Sequence, residues 1–90
     1  MATYVIERNI PGAGEMTSEE WRDASAQSNK VIADLGGGIA WKHSYVTADK
    51  VYCVYEADSP ALVRTHGEQA GFPVDAVVEV GRTIDPSTAG

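Results

Sequence analysis

Two histidines, His43 and His66, with Cys53 and the carboxylate of Glu7, are the side chains here best suited to hold a transition metal. Imidazole combined with carboxylate, thiolate or water oxygen suits borderline ions such as nickel, zinc and cobalt. No CxxC, HExxH or HxxxH spacing occurs, so any metal site must be assembled from separate elements. His43 shares a strand-like run with Tyr45, and Glu7 and Glu56 could reach the same sheet face from neighbouring strands. From the residues alone, His43 reads as a hydrogen-bonded group at a sheet or subunit interface before it reads as a ligand.

The other candidates also have two uses each. His66 is either a half-buried helix histidine, with Gly67 beside it allowing close packing, or a ligand or proton carrier near a sheet edge. Cys53, inside VYCVY, has no basic neighbour in sequence and no helix start beside it, so it reads as a small buried hydrophobe before it reads as a nucleophile. Catalytic motifs are missing: there is no nucleophile elbow, and Gly36 to Gly38 have no strand before them and no Lys-Ser/Thr after them, unlike a phosphate loop. No residue is assigned a catalytic role.

Positioning these groups requires six elements. TYVIERN, Thr3 to Asn9, is β-branched and aromatic and stops at Ile10-Pro11-Gly12. Thr17 stands three residues before Glu20 in capping-box spacing, and Trp21, Ala24, Ser28, Val31, Ile32 and Leu35 then recur at helical intervals, predicting a helix over Ser18 to Leu35. Glu19 and Glu20 in its first turn favour the positive end of the helix dipole. Ile39 to Glu56 holds two strand runs split by Thr47-Ala48-Asp49-Lys50, a hairpin. Ser59 followed by Pro60 starts a short helix that Gly71-Phe72-Pro73 ends, and Asp75 to Ile84 supplies the last strand. From about Asp85 the tail is irregular.

The order β-α-β-β-α-β predicts a single α+β domain over residues 1–90, a ferredoxin-like sandwich with both helices on one face of an antiparallel sheet. A hairpin turn centred on Ala48 and Asp49 pairs Tyr45 with Tyr52, His43 with Val54 and Trp41 with Glu56. That puts Trp41, His43, Tyr45, Tyr52, Val54 and Glu56 on one side, read here as the open face, where a second sheet could cover them in a homodimer.

Ninety residues with 43% hydrophobic side chains leave room for one core and no second. A formal charge of -6 removes the counterion release that drives nucleic-acid binding and disfavours anionic membranes. One cysteine closes no disulfide within the chain, and MATYVIERNIPGAG has no basic n-region with an apolar run, so a cytoplasmic setting is expected.

Three segments, YVIERNIPGAGEMTSEEW, WKHSYVTADKVYCVYEA and GFPVDAVVEVGRTIDPSTA, together resemble a family of short bacterial proteins of unknown function that includes a nickel-binding, ferredoxin-like homodimer. His43, Ser44, Tyr45, Asp49, Lys50, Tyr52, Cys53 and His66 keep that family's pattern. Asn29, after Ser28, departs from it, because family members often carry cysteine there. The resemblance implies a Ni2+-binding homodimer, and the first functional reading is a non-enzymatic one that serves sequestration, tolerance or delivery of the ion. Coordination chemistry then selects His43 and His66 as metal ligands, with Glu7 and Cys53 as additions. A second reading is a dimeric α+β-barrel enzyme or binder, with a small-molecule pocket on the aromatic open face and a histidine as acid/base. A third is an accessory module whose open face meets a different protein.

Overall fold

Strand β1, Ala2–Asn9, alternates buried Tyr4, Ile6 and Arg8 with less buried Thr3, Val5 and Glu7. That period of two leaves one sheet face to be covered and one uncovered. Helix α1, Ser18–Leu35, starts on the expected capping box: the Glu20 amide donates to Thr17 Oγ1 at 3.1 Å, and the Thr17 amide donates to Glu20 Oε1 at 3.0 Å. It ends at Gly36, whose φ of +78° is a left-handed cap that suits glycine. Strands β2, Ile39–Val46, and β3, Lys50–Ala57, form the hairpin. Helix α2, Pro60–Ala70, starts where Ser59 Oγ accepts from the Leu62 amide at 3.2 Å, and strand β4, Ala76–Glu79, closes the sheet. This computed structural model describes all residues from Met1 to Gly90.

The sheet order is β2-β3-β1-β4, every pair antiparallel, with β3 inserted between β1 and β2. Both helices lie on one face, giving the ferredoxin-like α+β sandwich. Tyr4, Ile6, Val51, Cys53, Tyr55 and Ala57 from the sheet and Val63 from α2 form the centre of the core.

Two local departures have physical causes. The expected last strand, Asp75 to Ile84, is paired only over Ala76–Glu79, because β1 starts at Ala2 and its last contact there is the Val80 amide donating to the Thr3 carbonyl. Residues beyond Val80 have no neighbouring strand and are exposed, with one 3-10 turn at Pro86–Ala89. In the hairpin, Val46↔Val51, Tyr45↔Tyr52, Ser44↔Cys53 and His43↔Val54 follow the expected register, but a bulge between Trp41 and His43 pairs Trp41 with Tyr55 instead of Glu56. An extra residue in one strand exchanges the faces beyond it. Trp41 therefore leaves the open face and joins Tyr55 under the helices, while His43, Tyr45, Tyr52, Val54 and Glu56 remain on the open side.

Candidate functional site: two faces of one sheet

The sheet separates the four metal-donor candidates into two pairs. His43 on β2 and Glu7 on β1 belong to the open face; Cys53 on β3 and His66 on α2 lie under the helices. A four-stranded sheet cannot be reached through, so the four do not form one coordination sphere. No group of three or more His, Cys, Asp and Glu side chains stands together in the chain.

On the open face His43 is exposed and meets the Tyr45 ring edge-on, with ring centroids 5.1 Å apart. The nearby carboxylates already have cations: Glu56 accepts from Lys42 at 3.0 Å, and Glu7 accepts from Lys50. The Glu7 pair, chiefly through its hydrogen bond, holds the Lys50 ammonium above its ordinary range. A metal at His43 therefore competes with lysine for these oxygens. Tyr45 and Val78, 61% and 59% exposed, leave an apolar surface on this side.

Under the helices, His66 is fully buried, so it is a core histidine and does not stand at a sheet edge. Its Nε2 is 3.1 Å from Ser28 Oγ on α1, its ring is 5.2 Å from that of Tyr55, and Nδ1 has no partner. Burial pulls the imidazole below its ordinary range; a hydrogen bond with Ser28 opposes this and the nearby Arg8 charge reinforces it. His66 is thus held neutral. The same burial holds the Tyr55 phenol above its ordinary range, against a hydrogen bond with Ser28.

This depression has a consequence for stability. The unfolded chain takes up the His66 proton near pH 6.5, whereas the folded chain resists it. The stabilisation is therefore complete above about pH 6.5 and is lost as pH falls from there towards the folded value. Urea midpoints should be lower at pH 5.5 than at pH 7.5, and His66→Gln should flatten the difference. An unchanged slope in that variant would remove His66 as the cause.

Arg8 is the residue that sequence reasoning missed. It is 2% exposed; its Nε donates to Cys53 Sγ at 3.4 Å, Nη1 donates to the Pro73 carbonyl at 2.8 Å, and its charge lies 5.6 Å from the Phe72 ring centre. Cys53 is buried as expected, yet it does have a basic neighbour, supplied by another strand. The period-two pattern of TYVIERN, which places Arg8 with Tyr4 and Ile6, was the available signal.

Arg8 also lines a cavity of about 530 Å³ between α1 and the sheet, with Trp21 and Ser28 above and Trp41, Cys53 and Tyr55 below. It exists because the first half of α1 does not close on the sheet: among the helix residues only Ser28 and Val31 are buried, and Trp21 and Ala24 border the gap. The aromatic cavity thus lies on the helix side of the sheet and is lined by residues of one chain.

Sheet order and helix placement define a ferredoxin-like fold with one sheet face that no helix covers. Residues 4–80 match the family described as nickel responsive protein SCO4226-like, and the chain belongs to that family. The crystal structure of SCO4226 from Streptomyces coelicolor A3(2) superposes with a TM-score of 0.78 at 21% identity, covering 92% of this chain and 100% of that one. At that identity the likeness establishes the fold. No curated protein matches the chain. No helix is long and apolar enough to cross a membrane.

Proposed function

We propose that this chain binds nickel through His43 on the open sheet face, as a homodimer in which a second copy covers that face and supplies further donors. Sequestration, tolerance or delivery of the ion in the cytoplasm is the corresponding role, with no catalysed reaction. The observation that carries the reading is the position of His43: it is the one exposed imidazole, beside Tyr45 on a face that no helix covers. Membership of a family described as nickel responsive supports the choice of ion. A borderline divalent ion accepts neutral imidazole, carboxylate and water together. One chain offers no three-donor group, so two His43 rings brought face to face, with Glu7 released from Lys50 or with water, complete the set. The apolar rim of Tyr45 and Val78 gives a second copy surface to bury.

Calorimetric titration of metal-free protein with nickel, zinc and cobalt, with native mass spectrometry counting subunits and ions, tests this. The expected result is stoichiometric, nickel-preferring uptake by a dimer, weakened at least a hundredfold by His43→Ala with the fold of each chain retained, since His43 lies outside the core. Undiminished nickel affinity in His43→Ala would overturn the assignment. The buried His66 needs no mutation for this test.

A further inference from the structure

We propose that the cavity between α1 and the sheet binds a small organic monoanion, a carboxylic acid with a flat apolar body, whose carboxylate pairs with the Arg8 guanidinium. This inference is independent of nickel binding, because it concerns the opposite side of the sheet.

The first argument is charge. Arg8 is the sole charged residue of the cavity wall, which contains no Asp or Glu, and no carboxylate lies within ion-pairing distance of its guanidinium. Its neighbours are a thiol, a carbonyl, an aromatic face and the neutral Tyr55 phenol, none of them a counter-ion, and Nη2 is buried without a hydrogen-bond partner. A desolvated cation without a counter-ion is unfavourable, and breaking or omitting one partner of a buried pair leaves that penalty uncompensated. A carboxylate supplies both what is lacking: a negative charge and an acceptor for Nη2. Guanidinium and carboxylate match in a planar, two-bond geometry that an ammonium or a neutral group would not reproduce. His66 is held neutral next to this site and Tyr55 is held protonated, so neither provides an opposing charge.

The second argument is shape and lining. At about 530 Å³ the space has the size of a small-molecule site, and the indole rings of Trp21 and Trp41 and the ring of Phe72 give it flat apolar walls. Trp41 Nε1 is already committed to Ser44 Oγ at 2.9 Å, so that indole offers its face and not its donor. Burial falls along the wall from Arg8, Ser28, Cys53 and Tyr55 at the closed inner end to exposed Asn9, Pro11 and Pro73 at the rim, which makes a route of entry. A net charge of -6 gives no long-range attraction for an anion, so selectivity has to come from the one buried guanidinium.

The matched probes phenylbutyrate and phenylbutanol share a body and differ only in the head group. Both tryptophans of the chain border the cavity, so intrinsic fluorescence reports occupancy directly, with calorimetry giving stoichiometry. At pH 7.5 the whole protein is expected to bind one phenylbutyrate at least tenfold more tightly than phenylbutanol. Arg8→Met, similar in length and apolar, should weaken the acid at least tenfold, leave the alcohol within threefold and abolish the preference. Equal affinity for the two probes in the unaltered protein would overturn the proposal, as would no binding of either up to millimolar concentration. The wild-type comparison decides the matter even if Arg8→Met fails to fold. Retention of the acid preference by a folded Arg8→Met protein would also overturn it.

Discussion

Ile6→Ala is expected to lower the free energy of unfolding by about 3 to 4 kcal/mol, in the middle of the range for truncating a fully buried Ile, Leu or Met. Ile6 has no exposed surface, sits on the central strand β1 and lies between Cys53 on β3 and Val77 on β4. Neighbours on both sides are held in ladder register, so the backbone has little freedom to collapse into the void. A domain of this length has roughly 5 to 13 kcal/mol of total stability, so the loss is a large share of it. Urea denaturation followed by circular dichroism measures the difference. A change below about 1 kcal/mol would mean that the helix-facing side of β1 is not the centre of the core.

The second large effect is at Gly67, where helix propensity and packing oppose each other. Gly67 is buried in the interior of α2, and replacing a helical glycine with alanine ordinarily gains up to about 1 kcal/mol. Here an added Cβ would lie 2.4 Å from Val74 Cγ2 and 3.5 Å from both Arg8 Nη1 and the Phe72 carbonyl oxygen. Overpacking of this kind costs about 1 to 3 kcal/mol, so the clash outweighs the propensity gain and Gly67→Ala is expected to destabilise by about 1 kcal/mol. Gly67→Val, with two further methyl groups and no comparable helical gain, should cost about 3 kcal/mol or more. Denaturation midpoints in the order wild type, Ala, Val test this grading. A more stable Ala variant would show that the 72–74 segment moves aside freely, and with it the Pro73 carbonyl that holds Arg8.

Much of the architecture was readable because it follows from local chemistry. Thr17 with Glu20, and Ser59 with Pro60, satisfy helix-start amides within one turn, and both helices begin where those residues stand. The hairpin register also followed from its turn as far as His43. The bulge was hidden because its cause is tertiary: Trp41 turns inward to pair with Tyr55 and donate to Ser44, and nothing in IAWKHSYV separates that from regular alternation. The end of β4 was likewise set by the length of β1, a partner distant in sequence.

The metal donors show the same limit more sharply. His43, Glu7 and Glu56 were expected on one sheet face, and the strand registers put them there. That Lys50 and Lys42 occupy the two carboxylates was not readable, since each ion pair joins different strands. His66 carried a helical periodicity that fits a core position as well as a rim position, and only the packing of α2 on β3 buries it completely. Arg8 was ambiguous for a simpler reason: in TYVIERN each face of the strand carries one charged residue, Glu7 or Arg8, and either could have faced water. The cavity that Arg8 borders depends on the gap between α1 and the sheet, which no residue pattern announces.

Nickel titration followed by nuclear magnetic resonance of the labelled protein tests most directly the claim that metal binds on the open face, away from the buried histidine. Paramagnetic nickel broadens nearby signals, so the His43 ring and the amides of Tyr45 and Tyr52 should disappear first, at substoichiometric ion. His66 and the amides of α2 should persist until well beyond that point. Early loss of the His66 ring signal with His43 intact would place the ion on the helix side and contradict the account.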